Sequence, residues 1–178
     1  MLLSDGFEEI EALGVVDILR RCGIQVEICS TTGEQIVASS RGVKIIADTL
    51  YPEQGIPEDD YAGVILPGGL PNAHTLRDDD RVIQTVRDFS KQGLLVCAIC
   101  AAPCVLERAG ILKGKRATSY PGCIDESKCD YSEERVVRDG NILTSRSAGT
   151  ACEFGFSIAK ALGYEAKAED VYRAMIMR

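Results

Sequence analysis

The spacing of apolar residues changes along this chain, from strand-like alternation to helical periodicity and back, several times over. Residues 1–4 read as the stub of a strand, followed by the turn Asp5-Gly6 and by Glu8-Glu9, acidic residues suited to a helix N-terminus. Ile10, Leu13, Val16 and Leu19 then recur at helical spacing as far as Cys22, Gly23 closes the helix, and residues 24–29 alternate as a strand. These three elements make a parallel unit. Residues 35–38 and 43–47 read as two short strands around Ser39-Ser40-Arg41-Gly42, a hairpin excursion from the main sheet.

After a Pro/Gly-rich connection at 51–60, residues 61–66 form the next central strand and stop at the sharp turn Pro67-Gly68-Gly69. Residues 78–91 carry an amphipathic helical pattern, 94–99 an apolar strand, and 101–108 the helix after it. Residues 116–118 read as a strand, 135–137 and 141–144 as a pair around Asp139-Gly140, and 150–162 as a long helix closed by Gly163. A last helix is expected over 168–177. Repeated strand–helix alternation predicts α/β: one domain over 1–178, a sandwich with a mostly parallel central sheet.

Composition narrows the class. A chain of 178 residues can bury about 70% of the surface that its unfolded form exposes, enough for one real core. A net charge of −7 and a pI near 4.8 argue against a nucleic-acid surface and against acidic partners. No apolar run reaches the ~18 residues needed to span a bilayer. Eight cysteines in a chain that is 46% hydrophobic are expected to be reduced thiols of a cytoplasmic protein, not a disulfide scaffold. His74 is the sole histidine, so a Cys/His zinc cluster lacks nitrogen ligands. Cys97, Cys100 and Cys104 could share a metal, but their spacing is that of strand, elbow and helix. Neither a metal nor a cofactor is expected.

The chemistry concentrates at Leu94-Leu95-Val96-Cys97-Ala98-Ile99-Cys100-Ala101-Ala102-Pro103, where an apolar strand runs into a thiol and then into a small-residue helix start. A cysteine at that junction stands at the carboxyl edge of a parallel sheet beside the first N–H groups of a helix, which favour its thiolate. Cys100 is therefore expected to be the most acidic and most readily oxidised of the eight thiols. Gly68-Gly69 admits close approach of backbone N–H groups, and with the N–H of Ala101 could form an oxyanion hole. Glu11 is placed to face the sheet edge; protonated, it could donate to the thiolate and carry a proton. Glu8 and Glu9 are expected only to favour the helix start.

Read in order, Asp5-Gly6-Phe7-Glu8-Glu9-Ile10-Glu11, Val16-Asp17-Ile18-Leu19-Arg20-Arg21, Ser40-Arg41-Gly42-Val43, Leu66-Pro67-Gly68-Gly69, Ala98-Ile99-Cys100-Ala101-Ala102-Pro103, Leu143-Thr144-Ser145-Arg146 and Gly149-Thr150 resemble the ThiJ/PfpI superfamily. Within it the chain is most similar to the branch of the parkinsonism-associated protein deglycase and its small bacterial relatives. The resemblance implies a flavodoxin-like fold akin to class I glutamine amidotransferases, and a homodimer. It implies that Cys100 is the oxidisable nucleophile, Glu11 its hydrogen-bonding partner, and Gly69 and Ala101 the backbone donors. Arg41 matches an arginine that reaches the site from the partner subunit. Tyr120 stands in Ser119-Tyr120-Pro121-Gly122 where many relatives have a histidine; His74 matches no triad position and reads as a surface loop residue; with Arg41 these two are the candidate contacts to substrate or partner subunit. Met1 falls about where the first strand should be half complete, so that strand is expected to be short.

The activity implied is cysteine-dependent conversion of small 2-oxoaldehydes or their adducts, of glyoxalase or deglycase type, without cofactor. The alternative is a non-enzymatic oxidative-stress sensor or chaperone using the same thiol. A peptidase of PfpI type is the third reading, weakened by the missing histidine.

Overall fold

The computed structural model describes residues 1–177. In chain order the strands and helices are β1 (Leu2–Leu3), α1 (Val15–Arg21, preceded by a π-helical turn at Ile10–Gly14), β2 (Cys29–Ser30), β3 (Ile36–Ala38), β4 (Lys44–Ile46), β5 (Thr49–Leu50), β6 (Gly63–Leu66), α2 (Leu70–Asp78), α3 (Asp80–Lys91), β7 (Leu95–Ile99), α4 (Pro103–Ala109), β8 (Arg116–Ala117), β9 (Asp130–Tyr131), β10 (Val136–Asp139), β11 (Ile142–Ser145), α5 (Ala151–Ala161) and α6 (Glu165–Ala174).

Strands β6, β7 and β11 are parallel, and β10 closes their edge antiparallel to β11. A second parallel set, β5, β2 and β1, lies alongside through contact of β1 with β6. The side chains of β7 alternate between two cores. Leu95, Cys97 and Ile99 pack with α1, α5 and α6; Val96 and Ala98 pack with α2, α3 and α4. Burial on both faces explains why residues 94–99 read as a continuous apolar run. Each fully buried aliphatic side chain contributes roughly 1.5–3 kcal/mol, so this strand anchors both layers. Its register pairs Leu66 with Ala98 and Ser145 with Ile99, so three strands end at the level of Cys100. The result is a single α/β domain, as the alternation predicts, of the flavodoxin-like type that the resemblance implies.

The hairpin is present as β3 and β4, with Ile36 opposite Ile46. Other elements depart from expectation. Helix α2 fills a stretch to which the pattern assigns nothing before residue 78, because Pro71, Asn72, His74 and Thr75 break the apolar period. His74 accordingly lies on an exposed helix face, not in a loop. Pairing in β2 is confined to Cys29 and Ser30; the Ile28 N–H is taken by the Asp48 carboxylate at 2.8 Å. β5 and β9 are two-residue strands that carry no alternation, and α6 starts at Glu165 instead of residue 168. The π-helical turn rotates the expected face of the first helix. Ile10 is 55% exposed, while Glu11, Ala12, Val15, Val16, Ile18 and Leu19 face inward. Among the described residues no helix is long and apolar enough to cross a membrane.

Candidate active site

Cys100 follows the last residue of β7 and sits at φ +64°, in the left-handed region that non-glycine residues rarely adopt. Such a conformation costs on the order of 1 kcal/mol and persists only where its surroundings enforce it. Two hydrogen bonds do so here. The Cys100 N–H donates to the Ser145 carbonyl at 2.9 Å, and the Cys100 carbonyl accepts from the Tyr120 N–H at 2.8 Å. The side chain is half-buried.

Glu11 is brought to this elbow by the π-helical turn, and its side chain has no exposed surface. Its own N–H donates to Glu8 Oε2 at 2.8 Å, and its Oε2 accepts from the Gly68 N–H at 2.8 Å. Oε1 has no fully formed hydrogen bond among the described residues; Cys100 and the Ala148 N–H interact with the carboxyl more loosely. Gly68 is glycine for a steric reason. A Cβ there would lie 2.5 Å from Glu11 Oε2 and 2.7 Å from Cys100 Cβ. Gly68→Ala is therefore expected to separate the pair and to cost roughly 1–3 kcal/mol, read by urea unfolding alongside alkylation of Cys100.

Burial pushes the Glu11 carboxyl up to about 7, against the hydrogen bonds from Cys100 and Gly68 that favour its anion. Burial also pushes the Cys100 thiol up, and the Glu11 charge adds to this, while the Ala101 N–H works in the opposite direction. The expectation that helix-start geometry alone lowers this thiol is thus corrected. Desolvation and a neighbouring carboxylate outweigh one N–H, so a thiolate here requires that its proton pass to Glu11. Cys97, wholly buried in β7, and Cys104 are also raised by burial, Cys104 to about 11.

The amides of Gly69 and Ala101 have no oxygen acceptor among the described residues and stand as candidate donors to a bound oxyanion. Gly68, expected to be a third donor, instead spends its N–H on Glu11. Tyr120 is 51% exposed and fixes the elbow through its backbone N–H. Within one chain Arg41 is exposed, and among the described residues its guanidinium donates only to the Ser40 carbonyl, at 3.4 Å. Among the described residues no group of three His, Cys, Asp or Glu side chains is arranged as metal ligands.

Two positioning residues escape the sequence reading. Glu9 does more than favour a helix start: it accepts from Ser39 Oγ at 2.5 Å, Ser40 Oγ at 3.3 Å and the Arg41 N–H at 2.7 Å, fixing the loop that carries Arg41. These bonds hold its carboxyl below the ordinary range, led by the Ser39 hydroxyl. Asn72 is fully buried on α2. Its Nδ2 donates to the Pro67 and Gly68 carbonyls at 2.7 and 3.2 Å, and its Oδ1 accepts from the Ser4 N–H at 2.6 Å. The signal for it was Gly-Leu-Pro at 69–71, a helix start with proline in the first turn.

Comparison with known proteins agrees with this architecture. Residues 1–161 match the DJ-1/PfpI family. Protein dj-1beta of Drosophila melanogaster is 37% identical over 180 residues, covering 99% of this chain and 95% of that protein. The Parkinson disease protein 7 homologue of Danio rerio is 36% identical over 182 residues, covering 100% and 96%. Among solved structures, DJ-1 of Schizosaccharomyces pombe superposes with a TM-score of 0.90 at 30% identity over 99% of this chain and 97% of that one. The oxidised DJ-1 of Toxoplasma gondii gives 0.89 at 32% identity over 98% and 95%. By sequence and by fold, the chain belongs to the DJ-1/PfpI family.

Proposed function

We propose that the protein converts small 2-oxoaldehydes such as methylglyoxal, or their adducts, through covalent catalysis by Cys100. The observation that carries this reading is a strained cysteine at a strand end, packed beside a fully buried glutamate whose carboxyl titrates near neutrality. A base with a pKa near 7 is matched to moving protons at physiological pH. Glu11 takes the Sγ proton as the sulfur attacks the aldehyde carbon. The Gly69 and Ala101 N–H groups hold the oxyanion that forms; Glu11 relocates a proton between the two carbons to turn the thiohemiacetal into a thioester of the 2-hydroxy acid, and water attacks that carbonyl, breaking the C–S bond to release the 2-hydroxy acid and the Cys100 thiol. No step needs a metal or a nicotinamide. The test is product-resolved turnover of methylglyoxal with no added thiol: a catalyst releases many equivalents of 2-hydroxy acid, whereas a sensor reacts once and stops.

The sensor reading keeps one supporting observation, that an oxidised form of a close structural relative is known in Toxoplasma gondii. A thiol that a neighbouring Glu11 can deprotonate also oxidises readily. Peptidase chemistry is disfavoured because the single histidine, His74, lies on the exposed face of α2.

Assembly is proposed to be a homodimer. Ile36 and Ile46, paired across the β3–β4 hairpin and 58 and 74% exposed, form an apolar strip, and Glu9 ties the loop of that hairpin to the start of the first helix, where Ile10 is 55% exposed. A second copy would cover that apolar strip and bring Arg41 to the partner's elbow. Ile46→Glu is expected to convert the dimer to monomer at micromolar concentration in analytical ultracentrifugation. Wild-type protein that sediments as a monomer contradicts the assembly.

A further inference from the structure

Three thiols gather around the elbow. Cys104 lies just beyond it in α4, buried, with its N–H bonded to the Ala101 carbonyl at 3.2 Å and its Sγ 3.9 Å from the Ala73 carbonyl oxygen. Cys123 arrives from a separate segment. The Tyr120 N–H donates to the Cys100 carbonyl, and Tyr120 then opens a four-residue turn closed by the Cys123 N–H on the Tyr120 carbonyl at 3.1 Å. Pro121 holds the second position and Gly122, at φ +76°, the third, the arrangement of a type II turn. The turn therefore holds Cys123 beside Tyr120, the residue bonded to the Cys100 carbonyl. Cys100 and Cys123 are both half-buried against the core built by α2, α3 and α4. An anion at Cys123 disfavours one at Cys100 and at Cys104, and the Glu11 anion disfavours one at Cys123, so these groups share one electrostatic neighbourhood.

We propose that Cys123 is a resolving thiol for Cys100: after a peroxide oxidises Cys100 to a sulfenic acid, Cys123 captures it as an intramolecular disulfide before further oxygen is added. This rests on the reading of Cys100 as the reactive nucleophile. In the first step the Cys100 sulfur attacks one peroxide oxygen, the O–O bond breaks, two electrons pass from sulfur to peroxide, and the departing hydroxide takes a proton to leave as water. In the second, the Cys123 sulfur attacks the sulfenic sulfur, the S–O bond breaks and the S–S bond forms. The hydroxide released takes a proton from Glu11, which regains one from the Cys123 thiol. A dithiol returns two electrons and two protons and restores both cysteines.

Cys123 suits this role better than Cys104. A disulfide needs Cα atoms roughly 4.4–6.8 Å apart and a specific torsion, which a surface turn hinged on glycine can supply by small adjustment. Cys104 is fixed within a packed helix. Capture stops oxidation at a reversible stage, ahead of the sulfinic acid that ordinary thiols do not reduce. The device would switch turnover off under peroxide and allow its recovery.

The test uses the full-length reduced protein, treated with hydrogen peroxide, blocked with iodoacetamide and mapped by mass spectrometry. The expected product is a Cys100–Cys123 linkage, with methylglyoxal turnover lost and then fully regained on adding dithiothreitol. In Cys123→Ser, turnover before oxidation is expected to equal wild type, but peroxide drives Cys100 to sulfinate and dithiothreitol recovers nothing. Cys104→Ser is expected to keep the linkage. Sulfinate at Cys100 of the wild type without the linkage, or a linkage to Cys104, overturns the proposal, and the wild-type map alone suffices should Cys123→Ser fold poorly. If Cys100 is alkylated readily yet never linked, only the resolving role fails; if it reacts with neither reagent, the nucleophile reading fails with it.

Discussion

Replacing Cys100 with serine is expected to lower 2-oxoaldehyde conversion by about a thousandfold or more, because a hydroxyl is a far weaker nucleophile at neutral pH than a thiol. Glu11 cannot compensate. A carboxylate that titrates near 7 is matched to a thiol proton and badly mismatched to that of an alcohol. The fold should tolerate the change, since serine can keep both backbone bonds that hold the elbow, to Ser145 and from Tyr120. Cys104→Ser should leave turnover intact and serves as the control. Initial rates of 2-hydroxy acid formation, with folding verified by circular dichroism, decide the matter. Turnover that survives in Cys100→Ser removes covalent catalysis from the account.

Glu11→Gln is expected to separate catalysis from stability. In the folded protein the Glu11 carboxyl binds its proton up to about pH 7, whereas an ordinary glutamate releases it near 4.5. Between those values the folded state holds more protons than the unfolded one, so the stabilisation from the neutral acid is complete below about 4.5 and is lost as pH rises to about 7. At 1.36 kcal/mol per unit the loss amounts to about 3 kcal/mol. Glutamine stays neutral and can still accept from the Gly68 N–H. The variant should match wild type near pH 4.5 and exceed it by up to about 3 kcal/mol at pH 8 in urea unfolding. Its turnover should fall by about a hundredfold or more, because an amide cannot take the thiol proton. Equal pH dependence of stability in the two proteins contradicts the assignment of a neutral buried acid at this position.

Much of the scaffold was legible in the sequence because burial on both faces of β7 writes an unbroken apolar run, and because Gly23 and Gly163 mark helix ends by their positive φ. The junction at Cys100 was legible for the same reason: a strand that stops at a thiol followed by Ala-Ala-Pro has few other shapes. What the pattern hid was local geometry with no periodic trace. A π-helical turn changes which residues face inward, so Ile10 reads as core and is exposed, while Glu11, read as facing the sheet edge, is fully buried. Helix α2 was hidden by its polar composition, and with it the role of Asn72 in holding the Pro67-Gly68 turn. The expected thiolate was wrong in direction because helix-start N–H groups can be read from sequence, whereas the depth of burial and the distance to a carboxylate cannot. The pairing of Glu11 with Cys100 was expected from the sheet-edge placement and from the family resemblance; that the Gly68 N–H would be spent on Glu11 was not.

The central claim, that Cys100 and Glu11 share one proton to make a nucleophile, is tested most directly by the rate of Cys100 alkylation against pH, with site mapping of the labelled cysteine. Glu11 and Cys100 titrate as a pair, so the reactive thiolate–carboxylic acid form gains population as the first proton leaves and then holds a constant share. The account predicts a labelling rate that rises through about pH 7 and levels off before climbing again in strong alkali, with the plateau absent in Glu11→Gln. A single rise centred near 8.5, the ordinary value for a free thiol, and the same curve in Glu11→Gln would contradict it.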